Sequence, residues 1–107
     1  MAELSELNKA INALNDLWPL LEGEDREKIL KERDSLNEQA SELAHKTLLE
    51  GVPELTDAVE QLKQVTQSAK DARSFIDQTA IRINKIEDTI GKAALAVGKV
   101  AGLLAVL

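Results

Sequence analysis

The stretch that decides the fold runs from Leu55 to Leu107 and reads LTDAVEQLKQVTQSAKDARSFIDQTAIRINKIEDTIGKAALAVGKVAGLLAVL. Its apolar residues recur in alternating steps of three and four, which is the a/d seam of a heptad repeat. With Leu55 at position a, almost eight heptads follow without a proline or a charge in the seam. A strict 3.5-residue period of this length predicts one very long helix that supercoils with a partner. The seam residues expected to carry this pairing are Leu62, Val65, Ala69, Ala72, Ile76, Thr79, Ile83, Ile86 and Ile90.

Upstream of this stretch, the sequence predicts two shorter helices. Residues 4–21 form a first apolar seam, and Pro19 predicts a bend between residues 19 and 25 because proline clashes with the preceding turn. We expect the second helix over about 24–49. Gly51-Val52-Pro53 ends it, since glycine just past a helix and proline at the start of the next are usual there. The predicted fold is therefore all-α, with two shorter helices followed by one very long heptad-repeat helix.

Two arrangements fit this order of helices. In the first, residues 1–78 form a three-helix bundle, and residues 79–107 continue the long helix as a projecting stalk that is apolar from about residue 90. In the second, residues 2–50 form one arm of a long helical hairpin. Because either arrangement leaves part of the seam uncovered, we expect the chain to form a homo-oligomer through a coiled coil.

Composition argues against several classes of function. The 107 residues include no cysteine and one histidine, aromatic residues make up 2%, and the formal net charge is −6. There is thus no disulfide or thiolate zinc site, and too few aromatic rings to stack on single-stranded nucleic acid. The acidic balance argues against binding a phosphate backbone. No glycine-rich phosphate loop or Ser-His-Asp set is present, so we predict a protein that is not an enzyme, has no cofactor and binds no nucleic acid.

One pair of residues has the spacing of metal ligands. Glu42 and His45 lie three residues apart and share a helical face, as the ligands of di-iron helical bundles do. With Leu43 in the core seam, both side chains point outward, whereas such ligands project into the bundle. A dimer would have to complete the site because the chain has no second histidine. We therefore expect an exposed helix surface here and no metal site.

The segment from Ile90 to Leu107 differs from the rest of the predicted long helix. Between residues 55 and 88 the outward heptad positions are polar except for Ile81, but after Gly91 they hold lysine, glycine, alanine, leucine and valine. A helix without a polar face is buried either in protein or in lipid. The residues expected to contact a membrane or a protein interface are Lys92, Leu95, Val97, Gly98, Lys99, Val100, Gly102, Leu103, Leu104 and Leu107.

The details of this segment fit both surroundings. Gly98 and Gly102 match the small-xxx-small pattern of closely packed helices. Lys92 and Lys99 lie on one face, from which they could reach lipid headgroups. Residues 61–107 carry seven basic against four acidic side chains, while residues 1–60 carry six against fifteen. The pattern fits attraction between the two halves, and it also fits a basic half that faces an anionic surface; the two interpretations are compatible.

These features predict a structural or assembly protein. In the leading interpretation it oligomerises through its coiled coil and engages a membrane through residues 90–107, as a pore-forming, lysis or scaffold component. In the alternative it is a soluble helical adaptor or chaperone, whose apolar C-terminal segment is covered by sister chains or by a helical protein partner. The N-terminal residues lack the basic start and apolar core of a secretory signal, so we expect cytoplasmic synthesis, with membrane association in the leading interpretation.

Overall fold

A computed structural model of the chain describes the backbone of residues 2–50 and 56–105, with the side chains of residues 4–45, 58–78 and 81–105. The described residues form four α-helices and one short 3₁₀ turn, which confirms the all-α prediction. The helices are α1 (Ala2–Leu17), α2 (Gly23–Glu50), α3 (Thr56–Ser74) and α4 (Thr79–Ala105), and the 3₁₀ turn is Trp18–Leu20.

The bend between α1 and α2 lies where the sequence predicts it. Pro19 falls in the first turn of the 3₁₀ segment, where its missing N–H costs nothing. Gly23 has a φ of 61°, in the left-handed region that glycine adopts without a steric penalty. Glu24 and Asp25 then occupy the first turn of α2, where carboxylates complement the helix dipole. The turn predicted at residues 51–53 lies outside the described residues.

The structure does not contain the single very long helix that the sequence predicts over residues 55–107. The chain turns at residues 75–78, so α3 and α4 form an antiparallel hairpin. The carbonyl oxygen of Gln78 accepts a hydrogen bond from the backbone N–H of Arg82 at 2.8 Å, which starts α4. The Arg82 guanidinium also donates to the carbonyl oxygen of Ile76 at 3.2 Å, so one side chain ties the two sides of the turn together.

Nor does α4 project as a stalk. It packs against both α3 and α2. The heptad pattern predicts which side chains need cover, but it does not say whether the cover comes from another chain or from the same one. Folding back buries Val100 and Leu103 within this chain, and each such burial stabilises the fold by roughly 1.5–3 kcal/mol.

The four helices form a ring in the order α1, α2, α4, α3. Gln61 on α3 donates to the carbonyl oxygen of Lys92 on α4 at 3.1 Å, and Gln39 on α2 donates to that of Val97 at 2.8 Å. Two antiparallel hairpins, α1–α2 and α3–α4, therefore lie side by side in a bundle measuring 46 × 22 × 17 Å. The core between them draws on all four helices. Its largest fully buried apolar side chains are Leu7, Leu14, Leu17, Ile29, Leu36, Leu43, Leu62, Val65, Ile86, Val100 and Leu103.

Most of the predicted seam lies in this core, so its cover comes from the same chain. The buried members are Leu62, Val65, Ala69, Ala72 and Ile86. Ile76 and Ile90 are half-buried at the edge of the core, whereas the side chain of Ile83 is 50% exposed. The side chain of Thr79 lies outside the described residues.

Candidate interaction surface on α4

The face that α4 turns to the core differs from the one that the heptad pattern predicts. Its most deeply buried residues alternate between positions d and g and are Ile86, Thr89, Ala93, Ala96, Val100 and Leu103. The a positions Ile83, Ile90 and Val97 lie at the edge instead. Because the buried face is centred between d and g, positions b, e and f point to solvent.

We call the solvent-facing residues of the C-terminal half of this helix the outer face of α4. They are Gly91, Ala94, Leu95, Gly98, Ala101, Gly102 and Ala105, and all of them are exposed. The side chain of Leu95 is 59% exposed and stands above its small neighbours. A Cβ atom at Gly91, Gly98 or Gly102 would meet nothing within 4 Å, so the space above each glycine is open. The outer face therefore runs for about four helical turns without a polar side chain.

The structure divides the residues that the sequence analysis assigns to a membrane or a protein interface. Val100, Leu103 and Leu104 are buried in the chain's own core, and Val97 is half-buried against it. The exposed members are Leu95, Gly98, Lys99 and Gly102. Lys92 is half-buried, and Leu107 lies outside the described residues. The bulky side chains of this segment are thus largely covered, and the small ones are not.

Charged side chains flank the outer face on the side of α3. Lys92 Nζ lies 3.1 Å from Asp88 Oδ2. The Ser68 hydroxyl donates to the same carboxylate at 2.7 Å, and this hydrogen bond, with help from Lys92, holds the pKa of Asp88 below its usual value. Lys99 is exposed and forms no ion pair within the described residues. The flank therefore offers one carboxylate and one unpaired ammonium group, eleven residues apart on the same helix.

On its other edge, α4 meets polar side chains of α2. Gln39 is buried between the two helices, and its Oε1 receives no hydrogen bond from the described residues. Glu32 lies one heptad earlier on α2, and partial burial raises the pKa of its carboxyl. In the register set by Gln39 and Val97, Glu32 is level with Ile90. This edge of α4 therefore meets polar side chains of α2, while Leu36 and Leu43 of α2 are buried in the core.

A second exposed apolar region lies at the end of the bundle that carries both hairpin turns. Leu20 is 45% exposed and Ile81 is 38% exposed, and Ile83 lies on the same end of α4. Between the two turns is a cavity of about 220 Å³ lined by Leu20, Leu21, Glu22, Asp25, Arg82 and Ile86. Sequence reasoning singled out Ile81 as an outward apolar residue. It missed Ile83, because a heptad count places that residue inside the seam.

No metal-binding cluster and no membrane-crossing helix occur among the described residues. No group of three or more His, Cys, Asp or Glu side chains there could hold a metal ion, and both Glu42 and His45 are exposed on α2. None of the described helices combines the length and the apolarity that crossing a bilayer requires. Comparison with protein-family models, curated proteins and solved structures finds no match for the chain.

Proposed function

We propose that the protein is a non-enzymatic assembly protein that associates with a second copy of itself through the outer face of α4. The observation that supports this is the composition of that face, which is glycine, alanine and leucine over about four exposed turns. Contiguous apolar surface of this kind, on an otherwise charged protein, is typical of a binding surface. Small residues also let two helix backbones approach closely, which favours a helix as the occupant.

A second copy fits because the outer face is complementary to itself. A two-fold interface places the same patch on both subunits, so each bulky residue needs a space on its own face to receive its counterpart. Leu95 is the bulky residue, and Gly91 is the space one turn away. When two α4 helices lie antiparallel and cross between residues 93 and 94, Leu95 of one copy lies within one residue of the level of Gly91 of the other. Leu95 of each copy is then covered by the other copy, and the open space above each Gly91 is filled.

Charge favours the same alignment. The antiparallel crossing places Lys99 of one copy level with Asp88 of the other, so the unpaired ammonium group meets a carboxylate twice per dimer. A parallel pairing would place the two charged flanks on opposite sides of the interface, so it would not bring Lys99 to Asp88 of the other copy. The antiparallel arrangement also opposes the two helix dipoles.

A lipid surface is the competing occupant. A helix that lies in the membrane interface buries bulky apolar side chains about 5–10 Å into the lipid. In α4 the bulky residues Val100 and Leu103 face the core, and the outer face offers mostly glycine and alanine, which bury little apolar area. The leading interpretation of the sequence, a membrane-engaging helix, is therefore less favoured than a protein interface.

The test compares two leucine-to-glutamate variants by sedimentation equilibrium. Leu95→Glu places a charge at the centre of the proposed interface, and Leu20→Glu makes the same change at an exposed leucine at the end of the bundle. All chains in this comparison carry Asp77→Gly, because glycine disfavours a helix that continues through residues 75–78 and leaves the outer face of α4 as the interface tested. In this background we expect the otherwise unchanged chain and Leu20→Glu to reach twice the 11.7 kDa chain mass as concentration rises. Leu95→Glu should weaken dimerisation at least about tenfold, as loss of a central interface residue does.

Two results would contradict the proposal. One is an otherwise unchanged chain that stays monomeric throughout while it floats with vesicles of phosphatidylcholine and phosphatidylglycerol, which would make lipid the occupant. The other is equal weakening by both variants, since a specific α4 interface depends on Leu95 and not on Leu20. Circular dichroism shows whether both variants keep the helical fold.

A further inference from the structure

We infer that the α3–α4 hairpin opens at residues 75–78, and that its two helices join into one continuous helix that exchanges α4 with a second copy of the chain. In this exchanged dimer, α4 of each copy packs against α1, α2 and α3 of the other. The interface is distinct from the outer face of α4, so the inference stands or falls separately from the proposed function.

The sequence of the turn is compatible with a helix. Residues 75–78 read Phe-Ile-Asp-Gln and include neither glycine nor proline. Gly23, in the turn between α1 and α2, is the one residue with a positive φ among those described. Pro19 and Gly23 therefore specify the turn between α1 and α2, because neither residue is favoured inside a helix. No residue of the turn between α3 and α4 prevents the helix from continuing.

The register of the hairpin supports the exchange. The hydroxyls of Ser68 and Thr89 lie 2.8 Å apart, and Gln61 bonds to the carbonyl oxygen of Lys92. These contacts set Leu62 level with Ala93 and Ala69 level with Ile86. Each layer thus pairs an a position on one helix with a d position on the other, as an antiparallel heptad pairing does.

Continuing the same register through the turn adds layers that the closed hairpin does not complete. Two continuous helices, crossing antiparallel near residue 77, place Ile83 level with Ala72 of the second copy. Ile76 then lies level with Thr79 of the second copy. In the closed hairpin the side chain of Ile83 is 50% exposed, and that of Ile76 is half-buried. In the closed chain the stack of layers ends at Ile83 and Ala72, whereas in the exchanged dimer it continues through Ile76 and Thr79 of both copies, as the unbroken heptad pattern predicts.

Few contacts of the closed chain are lost in the exchange. The second copy reproduces those of α4 with α1, α2 and α3, which is why domain swapping is a low-cost route to a dimer. The contacts specific to the closed turn are the hydrogen bond from Arg82 to the carbonyl oxygen of Ile76, the Lys85 ammonium 5.7 Å from the centre of the Phe75 ring, and the backbone hydrogen bond from Gln78 to Phe75.

The test uses a disulfide that reports which chain supplies α4. The protein has no cysteine, so Ser68→Cys with Thr89→Cys introduces the sole pair of thiols. The hydroxyls they replace lie 2.8 Å apart, within the reach of a disulfide. In the closed chain the bridge forms within one chain, and in the exchanged dimer it joins two chains. The covalent dimer is read on a non-reducing denaturing gel, and each single-cysteine variant is the control.

Substitutions at the exposed Asp77 make the assay specific for helix continuation. Alanine is the best helix former, and replacing it by glycine lowers the equilibrium constant for helix formation about fivefold per residue. Because two chains change together, we expect covalent dimer formation to differ about 25-fold between Asp77→Ala and Asp77→Gly. Relative to the Ser68→Cys, Thr89→Cys variant with Asp77 unchanged, the fraction of covalent dimer should rise with Asp77→Ala and fall with Asp77→Gly.

Exclusively intrachain bridges in all variants, at every concentration tested, would overturn the inference. So would a covalent dimer that does not respond to Asp77. Pairing through the outer face of α4 leaves the bridge within each chain, so failure of one proposal does not mimic failure of the other. If the variant with both cysteines does not fold, the distance between spin labels at Gln64 and Glu87 distinguishes the two states. The labelled chains are diluted with unlabelled protein so that the distance is measured within one chain. A continuous helix separates them by about 35 Å, whereas a closed hairpin keeps them within about 20 Å.

Discussion

At the scale of single residues, a group of short polar contacts links α3 to α4. Ser68 Oγ lies 2.7 Å from Asp88 Oδ2 and 2.8 Å from Thr89 Oγ1, and the hydrogen bond to Asp88 holds the pKa of its carboxyl below the usual value. A carboxyl with a lowered pKa stabilises the folded state above its unfolded pKa of about 3.9. That contribution is lost as the pH falls through the folded pKa.

Replacing Ser68 by alanine should raise the pKa of Asp88, because the largest cause of its lowering is removed. The measurement is an NMR titration of the side-chain carboxyl carbons. Ser74→Ala is the matched control, since the Ser74 hydroxyl donates to the carbonyl oxygen of Lys70 and not to a carboxylate. An Asp88 pKa that stays the same in Ser68→Ala would mean that the hydrogen bond does not set it.

At the scale of helices, the sequence predicts the turn between α1 and α2 but not the turn between α3 and α4. Pro19 and Gly23 are local signals, so the bend between α1 and α2 follows from a few residues. The turn at residues 75–78 has no such signal, and its cause is tertiary, because α4 finds cover on the rest of the chain. Sequence alone therefore predicted a continuous helix where the closed chain has a hairpin.

The candidate site was predictable in the same partial way. The loss of polar residues after Gly91 is visible in the sequence, and the outer face of α4 lies within that segment. The division between Val100 or Leu103 in the core and Leu95 on the surface was not predictable, because all of them are apolar. Neighbouring helices fix the rotation of α4, and the heptad pattern alone does not contain that rotation.

Two leucine-to-alanine variants test this division. The side chain of Leu103 is 1% exposed, and that of Leu95 is 59% exposed. Leu103→Ala leaves a cavity and should lower the free energy of unfolding by about 2–5 kcal/mol, measured by urea titration at a concentration where the chain is monomeric. Leu95→Ala should change it by less than about 0.5 kcal/mol. Equal losses in the two variants would show that α4 is rotated differently from the structure.

At the scale of the whole molecule, the two proposed interfaces occupy different surfaces. The exchange involves the turn at residues 75–78 and the inner faces of α3 and α4, whereas the outer face of α4 stays exposed in either state. One dimer contact therefore does not block the other. A chain with two such interfaces would build assemblies larger than a dimer, which is consistent with the proposed function.

The most direct test of the central proposal is the distance between spin labels on α4 of two copies. The label replaces the exposed Asn84, and the chain carries Asp77→Gly to suppress the exchanged dimer. Antiparallel pairing centred between residues 93 and 94 predicts a distance of about 30 Å between the two labels, measured by pulsed electron paramagnetic resonance. A distance near 10 Å, as in parallel pairing, or the absence of any defined distance between copies would contradict it.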